Sequence, residues 1–438
     1  MTSMKPPNRW DVAGFPVFAL SWFGDPEDGT SIVACSGGGG SAKTGVKNYI
    51  AVTINADPEA RQISTRTNLG TKLHIYKSQQ TQQLWLLAAV ALEKSDMGGE
   101  IHRYSLPDCH LDCSMKLETP VSALAVSPMT DVMAVGCENG TVAAFALSDE
   151  GFGEQLYTCQ KHTEEVCCLT FAVRGSKLLS SAKDGTCLVW DDKNGSLLSE
   201  VTCEIPAEDP ALNKNNNKSK RKPRAKGNVI VRGCAFGDLE GNIFYSVASY
   251  RMGSSYLYRW FADRNNPSQY QLHDRVACTQ SPVSAMSLSQ DGGLLVMGTT
   301  ESSVTLWGTA EWRPLKIFRD VHGFLPTCAA ARPYPVALQG EEDGVQVHAR
   351  TGSGDGTIAC MTLQKSAPGA ISKGSSGGYS FMLFMHRLLV ALILGCIFSP
   401  VVKEAHTRCR TSETMVTCLL QEGFYIPSSK LVIETRPY

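Results

Sequence analysis

Short apolar segments separated by tight turns recur along most of this 438-residue chain. Within each segment the apolar residues alternate with a period of two, which is typical of a half-buried β-strand. The clearest unit runs from His162 to Asp191 and contains three such segments and the turn Lys183-Asp184-Gly185-Thr186. A chain of such units is expected to be all-β and to bury its core between neighbouring copies.

This unit matches the WD-repeat pattern of a β-propeller blade. Four of its side chains fall where such a blade forms a buried hydrogen-bonded chain, namely His162, Ser180, Asp184 and Trp190. We interpret them as structural rather than as a catalytic Ser-His-Asp site, because blade geometry explains their spacing. Weaker copies of the unit cover residues 18–54, 84–106, 121–147, 229–260, 283–307 and 336–361. Seven units predict an all-β, seven-bladed WD-repeat β-propeller within residues 1–364.

The charge balance argues against nucleic acid as a partner. The chain has 41 basic and 42 acidic residues, so it lacks the overall positive charge that such binding requires. Its 43% hydrophobic content is ample for a large core. Most of its sixteen cysteines stand singly in strand-like segments, for example Cys137, Cys187, Cys234 and Cys360. This placement indicates small core residues in a reducing compartment.

The densest group of metal-binding residue types is Cys109-His110-Leu111-Asp112-Cys113, with His102 upstream. A zinc site would need a second pair at the usual separation, and the sequence lacks one. We therefore interpret this group as ordinary turn and core residues. Because no nucleophile with a base and no paired acid and base stands out either, we do not expect an enzyme with covalent chemistry of its own.

A glycine-rich segment at residues 36–48 is the strongest candidate for a functional site. Its residues of interest are Gly37, Gly38, Gly39, Gly40, Lys43, Gly45, Lys47 and Asn48. Glycine admits left-handed backbone conformations and close approach, at an entropic cost that a simple connection has little reason to bear. The alternatives are a loop that acts through its backbone carbonyls and amides, and a flexible hairpin connection.

The same segment resembles a nucleotide-binding P-loop only superficially. A P-loop needs glycine directly before the lysine, and then a helix whose N-terminus holds phosphate. Here Gly45 follows Lys43-Thr44, and the β-branched residues 49–54 predict a strand. We expect no nucleotide to bind to this chain.

A transmembrane helix is predicted at residues 379–402, after a linker at residues 365–378. The segment has about 24 mostly apolar residues, which span roughly 30 Å of hydrocarbon at 1.5 Å per residue. A buried core helix is the alternative. Because residues 1–11 are polar, no signal peptide is expected, which places the propeller in the cytosol and residues 403–438 in the lumen. There Cys409 and Cys418 could form a disulfide.

Two further segments are predicted to be surface loops. Residues 213–227 contain seven basic residues and no acidic one. Such a run is most often a solvated loop, and its alternatives are a contact with anionic lipid, at residues 214–226, a contact with nucleic acid and a nuclear signal. Residues 340–355 are acidic and glycine-rich, which predicts a long loop within the last blade.

Three features together resemble a known family. They are the early segment Phe15-Pro16-Val17-Phe18-Ala19-Leu20, the glycine segment with Lys43-Thr44-Gly45-Val46-Lys47-Asn48, and a single span after the last blade. The chain is similar here to the WD-repeat guanine-nucleotide exchange factors of the endoplasmic reticulum membrane, the family of the prolactin regulatory element-binding protein. The resemblance covers residues 12–402, although the intervening blades match only loosely.

The resemblance implies a function and a site. In this family, a glycine loop binds a potassium ion and contacts a Sar-type small GTPase, which favours release of GDP and starts assembly of the COPII coat. The implied exchange loop comprises Gly37, Gly38, Gly39, Gly40, Gly45, Lys47 and Asn48, with Asn48 and backbone carbonyls as the potassium ligands. A membrane-tethered WD-repeat scaffold without exchange activity is the alternative, for which Gly38, Gly39 and Asn48 would be dispensable.

Overall fold

The computed structural model describes residues 8–11, 14–40, 45–55, 60–92, 98–174, 176–206, 229–250, 253–334 and 346–363, and only the backbone of residues 8–11. All of these residues lie in one compact unit, Met1–Gln364. The predicted basic loop, linker, transmembrane helix and luminal tail lie outside the described residues. Within the described ranges, no helix is long and apolar enough to cross a membrane.

The described residues form seven four-stranded antiparallel sheets, which we call blades 1 to 7. Blade 1 contains β2 (Val17–Gly24), β3 (Ser31–Gly37), β4 (Asn48–Ile54) and β5 (Arg61–Arg66). Blade 2 contains β6 (Leu69–Lys77), β7 (Leu84–Ala91), β8 (Gly99–Leu106) and β9 (Leu111–Leu117). Blade 3 contains β10 (Val121–Val126), β11 (Val132–Cys137), β12 (Thr141–Ser148) and β13 (Gly151–Gln160).

The remaining blades have the same organisation. Blade 4 contains β14 (Val166–Phe171), β15 (Lys177–Ala182), β16 (Thr186–Asp191) and β17 (Leu197–Thr202). Blade 5 contains β18 (Val229–Phe236), β19 (Ile243–Tyr250), β20 (Ser255–Ala262) and β21 (Tyr270–Thr279). Blade 6 contains β22 (Val283–Leu288), β23 (Leu294–Thr299), β24 (Val304–Gly308) and β25 (Arg313–Phe318). Blade 7 contains β26 (Pro326–Ala331), β27 (Val347–Ser353), β28 (Thr357–Thr362) and β1 (Asn8–Asp11).

The ring of blades is closed by the N-terminal strand. β1 pairs antiparallel with β28 as the fourth strand of blade 7, with Asn8 opposite Cys360 and Asp11 opposite Thr357. In addition, the first strand of blade 7 packs against β2 of blade 1. The predicted seven-bladed propeller is therefore confirmed, and its closure rests on a pairing between opposite ends of the described chain.

The core lies between neighbouring blades, as the repeat pattern predicts. Leu179 and Val189 of blade 4, for instance, pack in one buried cluster with Val231, Phe244 and Tyr258 of blade 5. Each blade alone would leave one apolar face exposed, and the next blade covers it.

Side-chain hydroxyl groups join several neighbouring blades. The first strand of each blade has a β-bulge near its start. In four blades the residue at the bulge is serine or threonine, and its hydroxyl lies 2.5–3.5 Å from a carbonyl oxygen of the next blade. These pairs are Thr71 with Val121, Ser122 with Val166, Ser284 with Pro326, and Thr327 with Val17. Thr327 therefore also links blade 7 to blade 1.

Two expectations for the last blade were wrong in part. Its first strand is Pro326–Ala331, before the predicted start at residue 336, and residues 335–345 lie outside the described residues. The segment predicted as a loop at residues 340–355 contains β27 (Val347–Ser353). This strand is polar in sequence because it buries Arg350, whose guanidinium lies 4.7 Å from the ring centre of Trp22.

The thirteen cysteines in the described residues are free thiols. Cys137, Cys187, Cys234 and Cys360 are all buried in strands, as their sequence positions indicated. Cys409 and Cys418 lie outside the described residues.

Candidate functional site

The glycine segment is the connection between β3 and β4 of blade 1. Gly37 and Gly38 are buried, Gly39 and Gly40 are half-buried, and residues 45–47 are exposed. Residues 41–44, including Lys43, lie outside the described residues. We call residues 37–48 the glycine loop; it has a buried base and an exposed tip that carries Val46 and Lys47.

The glycine loop lies at the face of the propeller where the first strand of each blade begins. The Gly38 amide donates to the carbonyl oxygen of Pro16, the residue before β2, at 3.0 Å. Equivalent bonds occur in three other blades, from Glu138 to Pro120, from Lys183 to Glu165 and from Thr300 to Pro282. The base of the glycine loop therefore uses a contact common to several blades, and what distinguishes blade 1 is the length of the loop and its run of four glycines, residues 37–40.

Asn48 holds the base of the glycine loop closed. Its side chain is only 1% exposed, and its Oδ1 accepts from the Gly40 amide at 2.9 Å. Its Nδ2 donates to the carbonyl oxygen of Gly40 at 3.1 Å and to that of Arg66 at 3.2 Å. The amide group thus pairs both backbone groups of Gly40 and ties them to the end of β5. The resemblance implied that Asn48 is an ion ligand, and the hydrogen bonds of its side chain also make it a lock on the base of the loop.

The close approach of Asn48 explains why glycine is needed beside it. A Cβ atom on Gly38 would lie 2.3 Å from Asn48 Oδ1, and one on Gly37 would lie 1.7 Å from the carbonyl oxygen of Pro16. Gly38, Gly40 and Gly45 also have positive φ angles of 139°, 63° and 79°. Among these, Gly45 has no atom within 4 Å of the position that a Cβ would take. Gly37 and Gly38 therefore serve close packing, whereas Gly40 and Gly45 serve backbone conformation.

The chemistry of this loop is that of backbone oxygens. β4 follows it directly, so the loop lacks the helix N-terminus with which a P-loop holds phosphate. In the described part of the chain, no group of three or more His, Cys, Asp and Glu residues could hold a metal ion. Glycine carbonyls and the Asn48 amide are hard, uncharged oxygen donors, which suit a monovalent cation better than zinc.

The four side chains predicted to form a structural chain in blade 4 lie together. His162 Nδ1 is 3.0 Å from Asp184 Oδ2, and its Nε2 is 2.8 Å from Ser180 Oγ. Trp190 Nε1 donates to the same Ser180 hydroxyl at 2.9 Å. The His162 and Ser180 side chains are almost fully buried, so the chain of hydrogen bonds satisfies polar groups in the core.

Asp184 is the charged end of this chain. Burial alone would raise its pKa, but hydrogen bonds from His162 and Thr186 outweigh that effect and lower the pKa from 3.8 to about 2. Asp184 Oδ2 also accepts from the Thr163 amide at 3.0 Å. The carboxylate thus fixes the connection into blade 4 as well as the histidine.

Comparison with known proteins identifies the repeat. A family model described as WD domain, G-beta repeat, matches residues 153–191. The matched segment covers most of β13, the outer strand of blade 3, and the first three strands of blade 4. The chain is a seven-bladed propeller that carries a WD40 repeat. Because the match begins in β13, the matched WD40 unit is offset from blade 4 by one strand.

Two curated relatives are similar to parts of this WD40 propeller. WD repeat-containing protein 55 of Rattus norvegicus is 35% identical over 82 residues, which are 18% of this chain and 21% of that protein. SEC12-like protein 2 of Arabidopsis thaliana is 25% identical over 217 residues, which are 48% of this chain and 46% of that protein. The chain therefore matches less than half of the length of either relative.

Two solved structures show the same fold. Saccharomyces cerevisiae Sqt1 superposes with a TM-score of 0.51 at 14% identity, over 83% of this chain and all of that chain. A chain of the mitotic checkpoint complex superposes with a TM-score of 0.54 at 13% identity, over 82% of this chain and 92% of that chain. At these identities the likeness concerns the fold alone.

Sequence reasoning missed a second WD40-type hydrogen-bonded chain in blade 7. His322 Nδ1 is 2.7 Å from Thr357 Oγ1, and its Nε2 is 2.9 Å from Thr351 Oγ1. The Asp355 carboxylate accepts from the amides of Gly323 and Thr357. The signal in the sequence is the turn Asp355-Gly356-Thr357, but β28 contains no tryptophan, so the WD pattern does not identify His322 as the partner histidine.

Proposed function

We propose that this chain is a guanine-nucleotide exchange factor for a Sar-type small GTPase. The observation that carries the proposal is the glycine loop of blade 1, with a base locked by Asn48 and a tip exposed at one face of the propeller. The partial similarity to SEC12-like protein 2 supports the same assignment. The WD40 propeller provides a rigid platform for the loop and has no covalent role.

The proposed mechanism is differential binding. Exchange requires that the factor bind the empty GTPase more tightly than the nucleotide-loaded GTPase, and each 1.4 kcal/mol of that difference shifts the equilibrium about tenfold. A loop whose base is already ordered loses little conformational entropy on docking. Asn48 therefore acts as a positioning residue, and the exposed Val46 and Lys47 are the residues that would contact the GTPase.

A potassium ion is part of the proposal. The backbone carbonyls of residues 38–40 and the second lone pair of Asn48 Oδ1 would hold it, since Gly40 already uses the first. When bound, the ion would supply positive charge and would stiffen the loop. Asn48 would then both lock the loop and complete the ion's oxygen ligands.

We further propose that the chain acts at the endoplasmic reticulum membrane and starts COPII assembly there. The predicted transmembrane helix at residues 379–402 would keep the propeller in the cytosol and residues 403–438 in the lumen. Anionic lipid could contact the basic residues 214–226. All of these segments lie outside the described residues, so this part of the proposal rests on the sequence.

The test is a nucleotide-exchange assay on a purified Sar-type GTPase with the full chain in detergent micelles. The Asn48→Ala variant removes the lock, and Asn139→Ala is its matched control. Asn139 lies in the corresponding turn of blade 3, but its side chain is exposed. It donates a hydrogen bond to the Thr119 hydroxyl and accepts one from the Thr141 amide. We expect wild type and Asn139→Ala to accelerate nucleotide exchange. The acceleration by Asn48→Ala should be at least about tenfold smaller. The acceleration by wild type should be larger in potassium buffer than in sodium buffer.

The alternative function, a membrane-tethered WD-repeat scaffold, predicts a different outcome. If folded wild-type protein binds the GTPase but leaves its exchange rate unchanged, the scaffold function takes the place of exchange. If exchange is accelerated equally by wild type and Asn48→Ala, the chain is an exchange factor that acts through another surface.

A further inference from the structure

Each residue near the central channel can be compared with the residues at the equivalent position of the other six blades. The bulge residue in the first strand is equivalent in all blades, because the register shifts at the same point of each sheet. These seven residues are Phe18, Thr71, Ser122, Cys167, Arg232, Ser284 and Thr327. Arg232 is the one charged residue in this set.

The next position along each first strand also contains one charged residue. Its residues are Ala19, Lys72, Ala123, Cys168, Gly233, Ala285 and Cys328. Six of them are small, which is expected where first strands converge: a Cβ atom on Gly233, for example, would lie 2.8 Å from the Met286 side chain of the next blade. The remaining residue, Lys72, is long and charged. Each of the two equivalent sets therefore contains one charged residue, and both charged residues are basic.

Arg232 does not take the role that hydroxyl residues take at its position. Four equivalent residues link their blade to the next one through a hydroxyl group, as described above for Thr327. Arg232 instead has a buried Nε without a hydrogen-bond partner in the described structure. Within the same described residues, neither Arg232 nor Lys72 forms an ion pair.

Both cations line one cavity between the first strands of the blades, which has a volume of about 540 Å³. Phe18, Cys167 and Ser284 line it as well. The acidic residue in its wall, Glu165, is already paired with Lys183. The cavity therefore contains two positive charges that no described acidic group balances.

Arg232, Lys72 and the Cys167 thiol line the same cavity. Burial raises the pKa of the thiol to about 11, and the charge of Glu165 acts in the same direction, whereas the charges of Arg232, Lys183 and Lys72 oppose the rise.

We propose that this cavity binds the phosphate group of a small anionic ligand between Arg232 and Lys72. Guanidinium and ammonium groups are the usual protein partners of phosphate, and a phosphate dianion matches their two positive charges where a carboxylate would match one. Because the guanidinium of Arg232 forms no ion pair with a described residue, its charge is available to an anion in the cavity. This site is separate from the GTPase assignment and does not depend on it.

Isothermal titration calorimetry on the full chain tests the proposal with three probes, inorganic phosphate, inositol hexakisphosphate and acetate. We expect one phosphate compound to bind per chain and acetate to bind much more weakly. Arg232→Gln and Lys72→Gln should each weaken phosphate binding by at least about tenfold. Lys116→Gln is the matched control, because Lys116 lies on the outer strand of the same blade as Lys72 and is 83% exposed.

Arg232→Lys is a control for loss of folding, because it keeps the positive charge. If circular dichroism shows that this variant has a native fold, it should retain most of the phosphate binding. Tighter binding of inorganic phosphate than of the inositol compound would assign a free phosphate, and the reverse order would assign a phosphate ester. No heat of binding with either phosphate compound, or equal binding by wild type, Arg232→Gln and Lys72→Gln, would overturn the site.

Discussion

Asn48 and Gly40 form a reciprocal pair in which one side-chain amide satisfies both backbone groups of one residue, at 2.9 and 3.1 Å. Such a pair requires an amide, because Gly40 presents a donor and an acceptor together. Asn48→Asp keeps the acceptor but removes the donor, and it places a carboxylate beside the carbonyl oxygens of Gly40 and Arg66. We expect a loss of about 1–3 kcal/mol in the free energy of unfolding, measured by urea denaturation. Asn139→Asp, in an exposed turn, should change it by less than about 0.5 kcal/mol.

Gly38 and Gly45 both have positive φ angles but differ in their surroundings, so they form a matched pair. Gly45→Ala should cost about 1 kcal/mol, because only the backbone conformation opposes it. Gly38→Ala adds a clash with Asn48 and should cost about 2–5 kcal/mol. Chemical denaturation of both variants measures the difference. Equal losses would show that the base of the glycine loop can shift to accept a side chain.

Asp184 should make the propeller sensitive to acid. Its pKa in the folded protein, about 2, lies below the ordinary value of 3.8, so between these values the unfolded chain binds more protons than the folded one. The ionised Asp184 carboxylate therefore contributes about 2 kcal/mol to the free energy of unfolding above pH 3.8. This contribution is lost as the pH falls toward 2. Asp184→Asn should reduce the pH dependence of unfolding in this window. An unchanged slope would mean that other carboxyl groups dominate acid unfolding.

Thr327 should strengthen the junction between blades 7 and 1. Its hydroxyl lies 2.5 Å from the carbonyl oxygen of Val17 and 3.1 Å from that of Gly352. Thr327→Val preserves the shape but removes these hydrogen bonds, and we expect it to cost about 1–2 kcal/mol in urea denaturation. Thr158→Val in β13 is the control, because the Thr158 hydroxyl is exposed and accepts an exposed hydrogen bond from Gln155, so we expect a change below about 0.5 kcal/mol. A loss as small as that of the control would show that the pairing of β1 with β28 closes the ring without help from the hydroxyl.

The fold could be predicted from sequence wherever blades alternate apolar and small residues, as between His162 and Asp191. The prediction failed in blade 7, because β27 buries Arg350 against Trp22 and therefore looks polar. The pairing of β1 with β28 could not be predicted either, since a four-residue strand carries too little pattern to identify a distant partner.

The position of the glycine loop could be predicted, but its internal geometry could not. The sequence indicated that Gly38 needs an unusual backbone and that Asn48 matters. Which atoms Asn48 contacts depends on the approach of Arg66 from the end of β5, a tertiary contact without a local signal. The sequence likewise could not show that Arg232 and Lys72 are the charged residues at their positions, because the bulges are needed to align the seven first strands.

The closure of blade 7 also sets an order on folding during synthesis. The ribosome releases β1 first, but its partner β28 emerges only after all other described strands have been made. Until then Asn8–Asp11 has no sheet to join, and blade 7 cannot be completed. The slow step is therefore expected to be the pairing of β1 with β28, a contact of very large sequence separation. Any event that holds β1 elsewhere during translation would delay closure of the ring.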